Sequence, residues 1–266
     1  MVEIQPCEEV LLVGSCFADS IGRRFQENGF PATVNPYGTM YNPASVLHTV
    51  ERLLDERPDF SPRVVFLTLG TNHVYRLKET GEIVDNCQKR PAALFQEEEL
   101  TVDACAEYMR QAVDLLQRRR SDVQVVLTVS PIRYRKYGYH GSQVSKATLL
   151  LAVQQLTPPS SLLPFVGYFP AYEIVMDELR DYRFYAVDML HPSDQAVDYI
   201  WERLVEWGFS NEARHFLEEW RPLRQALAHR PFDADSPDYR ALMDKTMLKV
   251  ATLRERYPNL SVPLQI

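Results

Sequence analysis

Short apolar runs alternate along the chain with longer stretches in which apolar residues recur every three to four positions. The short runs suit strands buried on both faces, and the longer period suits helices with one buried stripe. Residues 9–14, 64–69 and 123–129 read as strands, and 165–169 as a fourth kept short by Pro164 and Pro170. Helical spacing covers 18–28, where Ile21 and Phe25 share a face and Gly29 is the stop. It recurs over 43–56 (Val46, Leu47, Val50, Leu54), 101–120, 143–155 and 193–207 (Ala196, Val197, Ile200, Leu204). Residues 211–257 are charged, helical in period and free of strand signals, with Pro231 as a break. The alternation predicts an α/β domain over residues 1–208, a parallel sheet covered by helices. A helical C-terminal extension, 209–266, is expected to pack on it.

Composition narrows the function classes. The 266 residues are 45% hydrophobic and 24% charged, ordinary for a chain that buries a substantial core. A formal net charge of −7 argues against nucleic acid as a partner, which calls for a concentrated basic surface. Of the basic runs, Arg118-Arg119-Arg120 falls where a helix ends and complements its dipole. Four cysteines (Cys7, Cys16, Cys87, Cys105) are too few and scattered for a disulfide framework. No stretch approaches the roughly 20 apolar residues of a membrane helix. Residues 1–9 lack the basic start and apolar run of a signal peptide. The expectation is a cytoplasmic protein with no membrane partner.

In open parallel sheets, sites form outside the carboxyl ends of strands. Three such corners carry chemistry. Gly14-Ser15-Cys16-Phe17-Ala18 follows the first strand, where a glycine lets the serine hydroxyl emerge and the next helix offers amide donors to an oxyanion. Gly70-Thr71-Asn72 follows the second, and an asparagine amide is a neutral donor. Between them, Gly38 in 35–43 lets a backbone N–H approach a ligand closely. Late in the chain stands Asp188-Met189-Leu190-His191-Pro192. A serine hydroxyl needs a base, histidine is the usual one, and a carboxylate three residues away can fix its tautomer. Each signal alone is also met in plain turns, caps and loops, and Asp188 or Ser193 suits the cap of the last helix of the domain. Their joint occurrence at successive corners points to acyl transfer.

Gly14-Ser15-Cys16-Phe17-Ala18 spells the signature of the GSCFA-domain family, a branch of the SGNH (GDSL-like) hydrolases, and the chain resembles that family over about residues 9–207. Further blocks agree: Asn35-Pro36-Tyr37-Gly38, Tyr41-Asn42-Pro43, Leu69-Gly70-Thr71, Asn86-Cys87, Ser145-Lys146-Ala147 and Asp188-x-x-His191-Pro192. The resemblance implies a three-layer α/β/α, flavodoxin-like fold with a central parallel sheet. It implies Ser15 as nucleophile, His191 as base and Asp188 as the group that orients it. The oxyanion donors would be the Ser15 N–H, the Gly38 N–H and the Asn72 side chain. One departure is that Asn72-His73 stands where the family has a small residue and an aromatic. This is closer to the wider superfamily's Gly-x-Asn-Asp and leaves His73 without a role.

The remaining candidates surround this constellation. Cys16, at a helix N-terminus, is the rival nucleophile. His73, Arg133 and His140 are candidate substrate-lining residues, with Arg135, Lys136 and the tyrosines 134, 137 and 139 beside them. No H-x-H, H-E-x-x-H or carboxylate cluster accompanies the histidines, so neither a metal nor another cofactor is expected. In the tail, Trp207, Phe216, Trp220 and Leu223 read as an apolar face covering the domain, or else as a homodimer surface. The expected reaction is hydrolysis of an ester, a small acyl group on a carbohydrate-like or other polar molecule. Acyl transfer by the same triad, or ligand binding without catalysis, are the alternatives.

Overall fold

A computed structural model describes residues 2–85, 87, 90–157, 165–233 and 235–262. The strands are β1 (Val10–Gly14), β2 (Ala32–Val34), β3 (Val64–Leu69), β4 (His73–Leu77), β5 (Ile83–Val84), β6 (Phe95–Glu99), β7 (Gln124–Val129) and β8 (Val166–Tyr168). Among the described residues, five of them form a parallel sheet in the order β2-β1-β3-β7-β8. Val10 lies opposite Ala32 on one side and Val64 on the other, and Val64 lies opposite Gln124. Counting only these strands, the order is 2-1-3-4-5, the flavodoxin-like winding that reverses direction beside β1.

Side chains alternate across a strand, so each strand feeds two cores. Val10, Leu12, Phe66 and Val126 enter one core, and Leu11, Val13, Val65, Leu67, Val125 and Leu127 enter the other. The first core is covered by α1 (Cys16–Glu27) and α6 (Asp194–Gly208). The second is covered by α2 (Pro43–Glu56), α3 (Val102–Arg119) and α4 (Gly138–Leu156). The result is the three-layer α/β/α arrangement. Phe25 centres the first core, its ring 4.9 Å from Trp201 and 5.4 Å from both Phe30 and Phe66. Polar residues cap three of these helices: Asn42, Thr101 and Ser193 accept the amides of Ser45, Ala104 and Ala196.

No strand or helix is expected from the pattern between 73 and 99, where β4, β5 and β6 form a separate antiparallel sheet, β5-β4-β6. Its strands are short and β6 is mostly acidic, so no apolar run marks them. Cross-strand ion pairs such as Arg76–Glu98 add to the few apolar residues it buries, Val74 and Phe95. The short β2, half-buried throughout, was missed for a similar reason. Helix α4 starts at Gly138, earlier than its apolar period suggests, so His140 sits in its first turn and not on a loop. Pro164 lies outside the described residues. After β8, α5 (Ala171–Glu173) continues as a π-helix, Ile174–Leu179, ending at Arg180 with φ 49°.

Beyond α6, α7 (Asn211–Ala228) and α8 (Pro237–Arg256) continue the first core outward. Trp220 is fully buried and donates to the Glu27 carbonyl at 3.0 Å. Arg224 donates to Asn28 Oδ1 at 3.0 Å, so α7 closes over the end of α1. Residue 4 bridges to Phe209, tying the start of the chain to this junction. Among the described residues, no helix is long and apolar enough to cross a membrane.

Candidate active site

Ser15 stands at the carboxyl end of β1, where the strand order reverses, and caps α1. Gly14 makes this turn: its φ is +146°, and a Cβ there would stand 2.1 Å from the Thr68 carbonyl oxygen. Only glycine fits. The Gly14 N–H donates to Asn35 Oδ1 at 2.8 Å, and the Met40 N–H to the Gly14 carbonyl at 2.8 Å. The 35–43 loop is thereby laid beside Ser15. Ser15 is only 1% exposed, and its Oγ accepts the Phe17 amide at 3.3 Å. Cys16 is half-buried, with Sγ 3.4 Å from the Tyr41 hydroxyl.

The three expected oxyanion donors all have internal partners. The Ser15 N–H donates to Thr68 O at 3.1 Å and the Gly38 N–H to Asn35 O at 2.9 Å. Asn72 is buried and its Nδ2 donates to Leu100 O at 2.8 Å, while Oδ1 has no hydrogen-bond partner. The first amides of a helix lack intrahelical acceptors. Here Ser15 itself accepts those of Phe17 and Ala18, and the Cys16 amide has no partner among the described residues.

The second corner is built from β3 and α4. Gly70 and Thr71 donate their amides to Tyr41 O, each at 2.8 Å. A Cβ on Gly70 would lie 3.4 Å from Ser15 Cβ, which places the two corners side by side. Ser145 Oγ accepts the Asn72 amide at 3.0 Å and pairs with Thr71 Oγ1 at 3.0 Å. The neighbouring Lys146 is buried and donates to Gly70 O at 2.6 Å. Burial pushes its amine down to about 7.

Asp188 and His191 form the pair expected of them in the turn before α6. His191 Nδ1 lies 2.5 Å from Asp188 Oδ2, and Asp188 Oδ1 accepts the amides of His191 at 3.0 Å and Leu190 at 2.9 Å. Met189, with φ 62°, closes this turn. Those backbone donors, then the imidazole, hold the Asp188 carboxyl down to about 2. The Arg133 amide donates to Leu190 O at 3.1 Å, tying the His191 segment to the loop after β7. Among the described residues no hydrogen bond joins His191 to Ser15.

Aromatic rings line the same edge. Tyr41 packs edge-on to Tyr134 at 5.6 Å, Tyr134 stacks on Tyr137 at 5.7 Å, and Tyr137 stacks on His73 at 3.7 Å. This gives His73 a packing role: burial lowers its pKa, with Glu99 and Glu97 opposing. Arg133 lies 3.8 Å from the Tyr185 ring beside a cavity of 180 Å³ that also takes Met176, Arg180 and Tyr182. His140 is exposed. Lys136 pairs with Glu97 at 2.8 Å. Asn86 lies outside the described residues. A second imidazole–carboxylate pair that no motif marks, His48 and Asp85 at 2.8 Å, lies in a 350 Å³ cavity also lined by Met40.

The model of the GSCFA family matches residues 9–62 and 59–204. The chain belongs to the GSCFA family. Residues 220–264 match a separate model, the GSCFA domain protein C-terminal domain, which takes in α8 and the second half of α7. No curated protein gives a significant match to this GSCFA chain. A solved family 3 carbohydrate esterase from Clostridium thermocellum superposes with a TM-score of 0.44 at 15% identity, over 84% of this chain and 99% of that one. A member of the lipolytic G-D-S-L family from Veillonella parvula gives 0.46 at 12% identity, over 74% and 96%. A family 3 carbohydrate esterase from Talaromyces cellulolyticus gives 0.44 at 11%, over 80% and 99%.

Proposed function

We propose that this GSCFA protein is a serine-dependent ester hydrolase acting on a small acyl group carried by a carbohydrate-like or other polar molecule. The observation that carries the reading is the position of Ser15. It caps α1 at the carboxyl end of β1, at the reversal of strand order, where doubly wound sheets bind their ligands. The preformed Asp188–His191 pair, on a segment tied to the next loop of the same edge, supports it.

In this reading Ser15 Oγ attacks the acyl carbon as His191 Nε2 takes its proton, and Asp188 holds the imidazole through Nδ1. The alcohol leaves with that proton, and water then releases the acyl group by the same route. The bond from His191 to Ser15 forms in the substrate complex, as catalytic contacts commonly do. The free Cys16 amide and the positive end of α1 favour the oxyanion. The near-complete burial of Ser15 favours a second reading, in which another hydroxyl rather than water receives the acyl group.

The test uses p-nitrophenyl acetate turnover and covalent capture by a fluorophosphonate. The native protein is expected to label, and Ser15→Ala to lose labelling and about 10³-fold or more of its turnover. Cys16→Ala should keep both. A native protein that takes no label would sink the reading, and a Ser15→Ala protein that still labels would move the nucleophile to Cys16. Capture of the acyl group by an added sugar in preference to water would favour transfer.

A further inference from the structure

Lys146 is a buried cationic group that the reaction above leaves unused. It is 3% exposed, on the inner face of α4, one residue from the Ser145 that bonds Thr71 and Asn72. Its Nζ adds the bond to Gly70 O, so two adjacent residues of one helix grip three successive residues of the corner beside Ser15. A neutral amide would make the same bond to a carbonyl without the cost of burying an ammonium. Among the described residues no carboxylate lies within ion-pair distance of Lys146.

The groups that face Lys146 are neutral near pH 7 or already paired with one another. Tyr134 faces it from the loop after β7, the ring centre 6.0 Å away, and burial raises that phenol. Tyr41, from the 35–43 loop, packs on Tyr134 and is raised as well, first by burial and then by its bond to Cys16. On α4 itself the neighbours one turn away, Ser142, Gln143, Leu149 and Leu150, carry no charge. From the small sheet, His73 is held below its ordinary pKa by burial, and Glu97 is taken up by Lys136.

We propose that Lys146 is a positioning residue for the Ser15 reaction: through the Gly70 carbonyl its ammonium holds the corner against Ser15 and supplies the positive field that a developing oxyanion requires. This rests on the hydrolase reading above. It answers a need the structure itself creates, because the three donors expected for the oxyanion are already engaged. A fixed cation in a dry site is worth far more to a nearby anion than the same charge in water. Lys146 neither takes nor gives a proton in the step, which stays between Ser15 and His191. Because burial brings the amine down to about 7, the cation is lost as pH rises, and the rate should fall on the alkaline side.

The experiment measures fluorophosphonate capture at Ser15 and p-nitrophenyl acetate kcat and KM from about pH 6 to about pH 9, for the native protein, Lys146→Met and Lys146→Gln. The native rate should decline above about pH 7. Both variants should be slower by about tenfold or more at the acid end, keep KM within about twofold, and lose the alkaline decline. Glutamine retains a donor for Gly70 O, so its slowing separates the charge from the bond. Replacing a buried charge by an apolar isostere tends to hold or raise stability, so folded variants are expected. A Lys146→Met protein with the native rate and pH profile would overturn the proposal. So would a native rate that only rises across the range, an outcome that depends on no variant. A native protein that takes no label at all would remove the hydrolase reading and Lys146's role with it, whereas failure of Lys146 alone leaves native labelling intact.

Discussion

Asp188 spends its carboxylate on three donors at once, two backbone amides and one imidazole nitrogen. Asp188→Asn keeps the size but replaces one acceptor oxygen by a donor, so the imidazole loses its fixed tautomer. Turnover should fall by about 10²- to 10⁴-fold with little change in KM, read from steady-state kinetics. Because the Asp188 carboxyl is lowered in the fold, its stabilising effect is present above the ordinary carboxylate pKa and is lost as pH falls through about 2. Lys146 gives the same sign in a higher window, because there it is the charged form that the fold disfavours. Its amine is depressed to about 7 in the fold and titrates near its ordinary value when unfolded, so the unfolded chain binds the extra proton in between. Stability should therefore rise from about pH 7 towards about pH 10, and Lys146→Met should flatten that rise in urea titrations. At this scale the sequence was informative where chemistry is local. Gly14 before Ser15, and Asp188 three residues before His191, are legible from spacing alone. The engagement of the Ser15 and Asn72 donors was not, since Thr68 and Leu100 are far away in sequence, whereas Gly38 is taken up locally by Asn35. Lys146 was visible as part of a motif, but helical periodicity does not reveal a lysine turned into the core.

Strands with continuous apolar runs and helices with a regular stripe were readable, because both faces of β1, β3 and β7 are buried. The small sheet was not, since β6 carries three glutamates in five residues and stabilises itself through cross-strand charge. The turn at Thr80-Gly81, between the β-forming residues of β4 and Ile83-Val84, was the cue that would have found its hairpin. This sheet matters because Leu100, just past β6, receives the Asn72 side chain. On the other side of that corner, Ser145→Ala would strip an acceptor from the buried Asn72 amide and a partner from Thr71. A loss of about 1–3 kcal/mol is expected in equilibrium unfolding. At the other end of the turn, Gly14→Ala meets the Thr68 carbonyl and a backbone that alanine rarely adopts. It should cost about 2–4 kcal/mol, or prevent folding, as measured by thermal denaturation.

Across the whole molecule, the tail joins the first core through Phe216, Trp220, Leu223, Val250 and Leu253. The apolar face legible in the sequence is thus committed inward in this chain. Trp220→Ala should lower stability by about 3–5 kcal/mol and do so in a single unfolding transition, since α7 and α1 share that core. Ser15 carries a different consequence for the molecule as a whole. If Ser15 is the nucleophile proposed above, a residue with 1% exposure receives no acyl carbon until its surroundings part. Every turnover then contains an opening step ahead of bond making, and such a step has its own clock. An acyl donor activated beyond p-nitrophenyl acetate, whose chemistry outruns that opening, should turn over at a rate that slows in proportion to solvent viscosity while the deuterium solvent isotope effect shrinks towards unity; p-nitrophenyl acetate stays limited by the chemical step.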